Sequence, residues 1–404
     1  MSINFLNLEK IDSQTIRPDG YKFPRGLSVV ITNPTQEGYI FDPDSYITTS
    51  QATKSESPTY VSYTWTTTGS FEHTLPENLK GDILIVAGGG AGQTRDGDNG
   101  GTSGGGAGGL LYYSDTNGLT GPPGPASANS KTPNGPAVSF SPSIAFTVTV
   151  GGGGVGLPSP AFSASGGNSG NGPGGLGEDS SVANTSSDVP TPQHLSLIAK
   201  GGGTQLSPST QHPSTDHGSG AGYYGSNIGI GIPGQGHPGA GAATPVESYG
   251  YSAGGGGGAG GPGSSMDMNP RSGKDGNPGP TTALSPGPNS TQPSTSMYAR
   301  KGFGGGDGLD FDISGTRKTY GAGGAGCGRG VGWFGGSDNL GGRGSGLGDP
   351  RGGGFSPWNS TTSGGNGTVN RGSGGGGGVP GGSGGAGVVI IRFNKLTDFE
   401  YGID

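Results

Sequence analysis

Asp307, Asp310 and Asp312 put three carboxylates within six residues, a spacing of hard oxygen donors that suits a calcium-like cation. The segment Gly305-Gly-Asp-Gly-Leu-Asp310 approaches the calcium-binding nonapeptide of β-helical repeats. It occurs once, and Asp312 stands where that repeat wants a large apolar side chain, so these aspartates are weak metal candidates beside a plain solvated turn. His212 and His217 flank Asp216, yet no Cys or Glu completes a local ligand or acid–base set in that polar stretch. Glu178-Asp179 offers adjacent carboxylates, but glycoside hydrolysis needs two held across a groove, and adjacency alone supplies no such geometry. Ala87-x-Gly89-x-x-Gly92 comes directly after a hydrophobic strand and imitates a dinucleotide fingerprint. The next residues, Gln93-Thr-Arg-Asp-Gly-Asp-Asn-Gly100, cannot start the helix whose N-terminus would receive a pyrophosphate. Ser272-Gly-Lys-Asp275 lacks the spacing and hydroxyl of a phosphate loop. No cofactor is expected, and the chain reads as a non-enzyme.

Aromatic side chains are the remaining candidates for contact chemistry. Tyr223, Tyr224, Tyr249, Tyr251, Trp333, Phe334 and Trp358 lie among glycines that offer nothing to bury them. Tyr and Trp combine apolar area with a polar handle, which suits stacking on sugars or anchoring in a protein surface. The structural alternative, which the sequence favours, has them capping the ends of a glycine bundle or filling a subunit interface.

The elements that must position these residues are dominated by glycine. Of 404 residues 97 are Gly and 32 are Pro, while only 27% are hydrophobic, so an ordinary apolar core can serve only part of the chain. Runs recur from Gly88–Gly90 to Gly374–Gly378, separated by Ser/Thr/Pro/Asn-rich segments. Each glycine in a helix or sheet interior costs about 0.5–1 kcal/mol relative to alanine. The polyproline-II type of helix, with three residues per turn, suits such runs. Packed side by side, backbones without Cβ atoms approach closely enough for each N–H and C=O to find a partner on a neighbour. Many net hydrogen bonds of about 0.5–1.5 kcal/mol each then supplement the limited apolar burial.

Residues 1–58 have ordinary composition and read as an N-terminal attachment module or, equally, as an N-terminal arm that packs on the body. From Tyr60 the pattern turns to β: Tyr60–Trp65, Phe71–Leu75 and Ile83–Val86 form a meander, with further strands expected at 109–113, 144–150, 195–199 and 388–393. Sustained 3.6-residue periodicity is absent outside the N-terminal arm. The expected fold is all-β plus polyglycine II: an antiparallel β frame enclosing a packed polyglycine II bundle over 59–393, with almost no α-helix. Residues 394–404 read as an acidic C-terminal tail.

Four landmarks in order carry a resemblance: Ile-Leu-Ile-Val-Ala-Gly-Gly-Gly-Ala-Gly (83–92), Gly-Gly-Gly-Ala-Gly-Gly-Leu-Leu (104–111), Phe-Thr-Val-Thr-Val-Gly-Gly-Gly-Gly (146–154) and Gly-Gly-Ser-Gly-Gly-Ala-Gly-Val-Val-Ile-Ile-Arg-Phe (381–393). Over residues 60–393 the chain resembles the glycine-rich domain of bacteriophage tail-fibre and related virion proteins. It is also similar to the distal adhesins of T-even-like phages, in which polyglycine II bundles carry receptor-binding loops. That resemblance implies a virion protein on the particle surface, with residues 1–58 docking on other virion proteins and loops contacting a host glycan or protein. The loops it implies are 114–143, 180–195, 204–217, 242–251 and 264–301. A homo-oligomer, with the trimer as one form, is expected. A capsid-decorating or head-fibre protein is the first alternative, and a secreted polyglycine II matrix or ice-binding protein the second. The net charge of −7 argues against nucleic acid, whose binding needs a basic face. No run approaches the roughly 20 apolar residues that span a bilayer, so no membrane insertion is expected.

Overall fold

A computed structural model of the protein describes residues 46–75, 77–95, 102–115, 133–157, 171–172, 174–184, 194–205, 216–223, 228–241, 253–263, 304–326, 363–378 and 380–395. Among them every named element is a β-strand. In chain order these are β1 (Ile47–Glu56), β2 (Tyr60–His73), β3 (Leu79–Val86), β4 (Thr94–Arg95), β5 (Leu110–Tyr113), β6 (Val138–Phe140) and β7 (Phe146–Thr149). They continue with β8 (Asn171–Gly172), β9 (Ser180–Ala183), β10 (Ser196–Ala199), β11 (Leu309–Phe311), β12 (Lys318–Tyr320) and β13 (Val388–Asn394). The main antiparallel sheet runs β10-β9-β7-β2-β13-β3-β5, with β1 added to β2 and β6 to β3.

Two apolar runs form its centre because they are buried on both sides. Ile83, Ile85, Val389, Ile391 and Phe393 face one core, while Leu84, Val86, Val388 and Ile390 face the other. Burial on both faces explains why Ile-Leu-Ile-Val and Val-Val-Ile-Ile read as continuous rather than alternating runs. In the first core Phe71, Phe140, Phe146 and Phe393 meet at ring separations of 5.0–6.2 Å. Full burial of such a ring contributes about 1.5–3 kcal/mol. The second core is closed by the β11–β12 hairpin, whose Phe311 lies 5.0 Å from Tyr112.

β2 serves both halves of the sheet. Tyr60–Trp65 pair with β13 and Gly69–Phe71 with β7, and β1 runs along both stretches across a bulge between Ser50 and Ala52. Gln51 adopts φ 60° there, and the Trp65 indole N–H donates to Ser50 O at 2.8 Å. A Cβ on Gly69 would overlap Ser50 O and stand 2.9 Å from Trp65 Cδ1, so the bend requires glycine. β9 and β10 thereby fold over β3, β5 and β13 and enclose the first core.

Several expectations change. The stretch 180–195, read as a loop, begins with strand β9, because pairing to β7 buries Ser180 and Val182 in alternation. The stretch 114–143 likewise contains β6, which pairs with Leu79–Gly81. The β frame begins at Ile47, ahead of residue 59, and at its other end extends past Phe393. Asn394 pairs with Tyr60, the amide of Lys395 donates to Thr59 O, and its ammonium pairs with Glu56.

Candidate functional site

Most strands of the frame, β2 excepted, run directly into glycine or directly out of it. β3 continues into 87–93, β7 into 150–157, β10 into 200–205 and β12 into 321–326, while 103–109, 174–179, 304–308 and 381–387 lead into β5, β9, β11 and β13. These segments bond to one another with a period of three. Ala87, Gly90 and Gln93 donate to Gly109, Gly106 and Ser103; Gly88 and Ala91 to Glu178 and Gly175; Gly89 and Gly92 to Gly385 and Gly382, all at 2.8–3.0 Å. The carbonyls of Gly88, Gly89 and Gly90 accept from Gly202, Gly154 and Gly375 on three further segments. Segment 104–109 repeats the pattern, sending amides in rotation to 254/257, 375/372 and 203/200. A β-strand bonds to two neighbours with a period of two; here each chain serves three neighbours as donor and others as acceptor.

Little beyond glycine, alanine and an occasional serine such as Ser219 or Ser373 fits inside such packing. A Cβ on Gly88, Gly90, Gly105 or Gly374 would overlap a neighbouring carbonyl oxygen. Where the bundle meets the sheet, three consecutive side chains take over backbone bonding. Glu178 Oε2 accepts from Gly152 N at 3.0 Å, Asp179 Oδ1 from Gly201 N at 2.9 Å, and Ser180 Oγ from Gly151 N at 2.9 Å. Asp179 Oδ2 also lies 2.7 Å from the Lys200 ammonium, and that hydrogen-bonded carboxylate holds the lysine above its ordinary value.

The opposite end gathers five of the chain's connections, whereas those between Asp115 and 133 and between β9 and β10 leave from the sheet. Described residues that flank them meet there: Gln93 with Ser103, Thr94 with Gly172 and Gly378, Tyr223 with Ala240 and Gly254, and Gly377 with Ala325. A buried polar cluster marks this end, with Ser103 Oγ 2.6 Å from Gln205 Oε1 and 3.3 Å from Gln93 Oε1. The chain leaves the described residues at this end toward 96–101, 158–170, 242–252, 264–303 and 327–362 and returns to it from each. The topology thus makes the end remote from the sheet the candidate site.

The residues singled out from sequence fall in different places. Tyr223 is at this end but only 3% exposed, so its ring is packed rather than presented. Tyr224, Tyr249, Tyr251, Trp333, Phe334 and Trp358 lie outside the described residues, as does His212. The three aspartates do separate work around the β11–β12 hairpin. Asp310, 2% exposed, accepts from Thr319 Oγ1 and pairs with Arg317 at 3.1 Å; Asp312 lies 3.7 Å from Arg392; Asp307 accepts the Gly260 amide through its backbone carbonyl. No cluster of metal-ligating side chains occurs among the described residues. Every amide from Ala87 to Gln93 is given to a carbonyl, which leaves none for a pyrophosphate. Glu178 and Asp179 act as caps on backbone amides, a role that adjacency in sequence did not signal. No helix among the described residues is long and apolar enough to cross a membrane.

Against known families, residues 66–345 match a family described as a glycine-rich domain. No curated protein matches the chain.

Proposed function

The chain belongs to the glycine-rich domain family, and from that premise we propose that it is a virion structural protein, a tail fibre or adhesin that contacts a host surface through loops. In this reading the glycine segments form a polyglycine II bundle, a stiff scaffold with the β frame at its base. The mechanism is binding, with no covalent chemistry. Supporting it is one observation above the others: five connections, the two longest (264–303 and 327–362) among them, depart from and return to the bundle end remote from the sheet. A scaffold whose interior admits few side chains is suited to carry recognition on such connections, because rigid elements position loops and loops tolerate variation. The three-residue hydrogen-bond period supports the polyglycine II geometry.

The reading further places the protein on the particle surface as a homo-oligomer, with residues 1–58 engaging other virion proteins and a glycan or protein as the host ligand. Binding of labelled full-length protein to intact candidate host cells, and in parallel to particles lacking it, tests this. Saturable binding to cells that also blocks infection is expected. Binding only to particles, at a copy number matching capsid symmetry, would replace the adhesin reading with capsid decoration.

A further inference from the structure

His73 is fully buried at the joint where the chain enters the sheet. It is the last residue of β2 and lies opposite Ile47, the first of β1, while the next amide, Thr74 N, donates to Tyr46 O at 2.9 Å. Its carbonyl accepts from Ser143 N at 2.7 Å, and Ser143 has φ 54°, a left-handed conformation that serine keeps only when held. The imidazole Nε2 lies 2.9 Å from Phe140 O, which as an acceptor fixes the proton on Nε2, and the ring sits 6.3 Å from that of Phe71. Nδ1 is buried with no hydrogen-bond partner. The imidazole thus ties the end of β2 to β6 in its neutral form, while the backbone of the same residue and of Thr74 meets β1 and the turn at 141–145.

We propose that His73 is an acid-sensitive latch: its protonation releases the first residues of β1 and the turn at 141–145 while the central strands and glycine segments remain folded. A proton on Nδ1 creates a charge and an N–H donor in a pocket of phenylalanines, where neither finds a partner. The surroundings offer little compensation. Residues 47–50, β6, the turn and β7 carry no charged side chain; Lys80 of β3 stands opposite Ser139, and Glu72 on the same strand is the one carboxylate that favours the charged ring. Desolvation holds the imidazole below its ordinary 6.5, against the Phe140 bond and the Glu72 charge. A histidine kept neutral by folding contributes stability that is complete above pH 6.5 and is lost as pH falls below it.

Hydrogen exchange of the full chain tests the latch. Between about pH 7.5 and about pH 5, with intrinsic rates corrected, protection of the Thr74 and Ser143 amides is expected to fall about tenfold or more. Gly90, Gly106 and Ile390 keep theirs, and in His73→Gln the Thr74 and Ser143 difference disappears. Unchanged protection of Thr74 and Ser143 in the wild type overturns the proposal. So does loss of protection everywhere together, or an undiminished pH response in His73→Gln. Should that variant not fold, the wild-type imidazole is tracked by NMR: a ring that titrates while Thr74 and Ser143 stay protected also overturns it.

Discussion

Gly256 and Gly105 approach so closely that a Cβ on the first would overlap the carbonyl of the second and stand 2.8 Å from Gly106 N. The obstacle is backbone fixed by its own hydrogen bonds, so neither partner can turn aside. Gly256→Ala is expected to cost at least the 1–3 kcal/mol typical of overpacking, and Gly256→Val to abolish soluble folded protein, at about that scale or beyond. Gly152 is the control: a Cβ there meets only the Glu178 carboxyl group, at 3.1 Å and beyond, which can swing away. Gly152→Ala should shift stability by less than about 1 kcal/mol. Equal urea midpoints for wild type and Gly256→Ala would refute the packed-backbone account.

The junction at Glu178–Ser180 makes a graded prediction. Ser180 is fully buried, and Ser180→Ala leaves the buried Gly151 amide without its acceptor. A loss of about 1–3 kcal/mol is expected. Glu178→Gln keeps an oxygen for Gly152 N at an exposed position and should change stability by no more than about 0.5 kcal/mol. Thermal melts of the two variants decide; the reverse order would remove the assigned capping roles.

Arg392 stands opposite Asp82 in the β13–β3 register, 2.8 Å from its carboxylate. Burial works against the guanidinium charge, but the Asp82 bond and charge offset it and hold Arg392 above the ordinary arginine value. Arg392→Met leaves a partly buried carboxylate alone and should cost about 2–3 kcal/mol, below the 3–5 of a fully dry pair. The double variant Asp82→Asn/Arg392→Met should recover more than half of that loss. Denaturant titrations of both single variants and the double give the coupling directly.

Alkaline titration reports on the second core. Burial pushes the phenols of Tyr112 and Tyr320 above their ordinary value of 10.0. The folded state then holds protons that the unfolded chain releases, so stability is complete below pH 10.0 and falls as pH rises above it. Tyr320→Phe should weaken that dependence, measured as the slope of unfolding free energy against pH. A slope equal to that of the wild type would mean that Tyr320 does not contribute to it.

Much of the frame is legible along the chain, because strands such as Ile83–Val86 and Val388–Phe393 carry their own apolar and β-branched signal. Ser180–Ala183 carries too little, and only its pairing with β7 makes it a strand. The partners of polar residues are equally hidden: Asp82 and Arg392 are 310 residues apart, and Ser103 and Gln205 are 102 apart. No local pattern encodes such distant pairs.

The sequence by itself determined that glycine must pack against backbone, since runs without side chains can bury nothing else. It also marked Ile83–Val86 and Val388–Phe393 as strands of a β frame. Tertiary structure alone decided which segment bonds to which, at which end the connections gather, and that the carboxylates of Glu178 and Asp179 cap amides. The reason is that a glycine N–H is the same donor at every position. Its acceptor is chosen by whichever backbone the surrounding strands bring within reach.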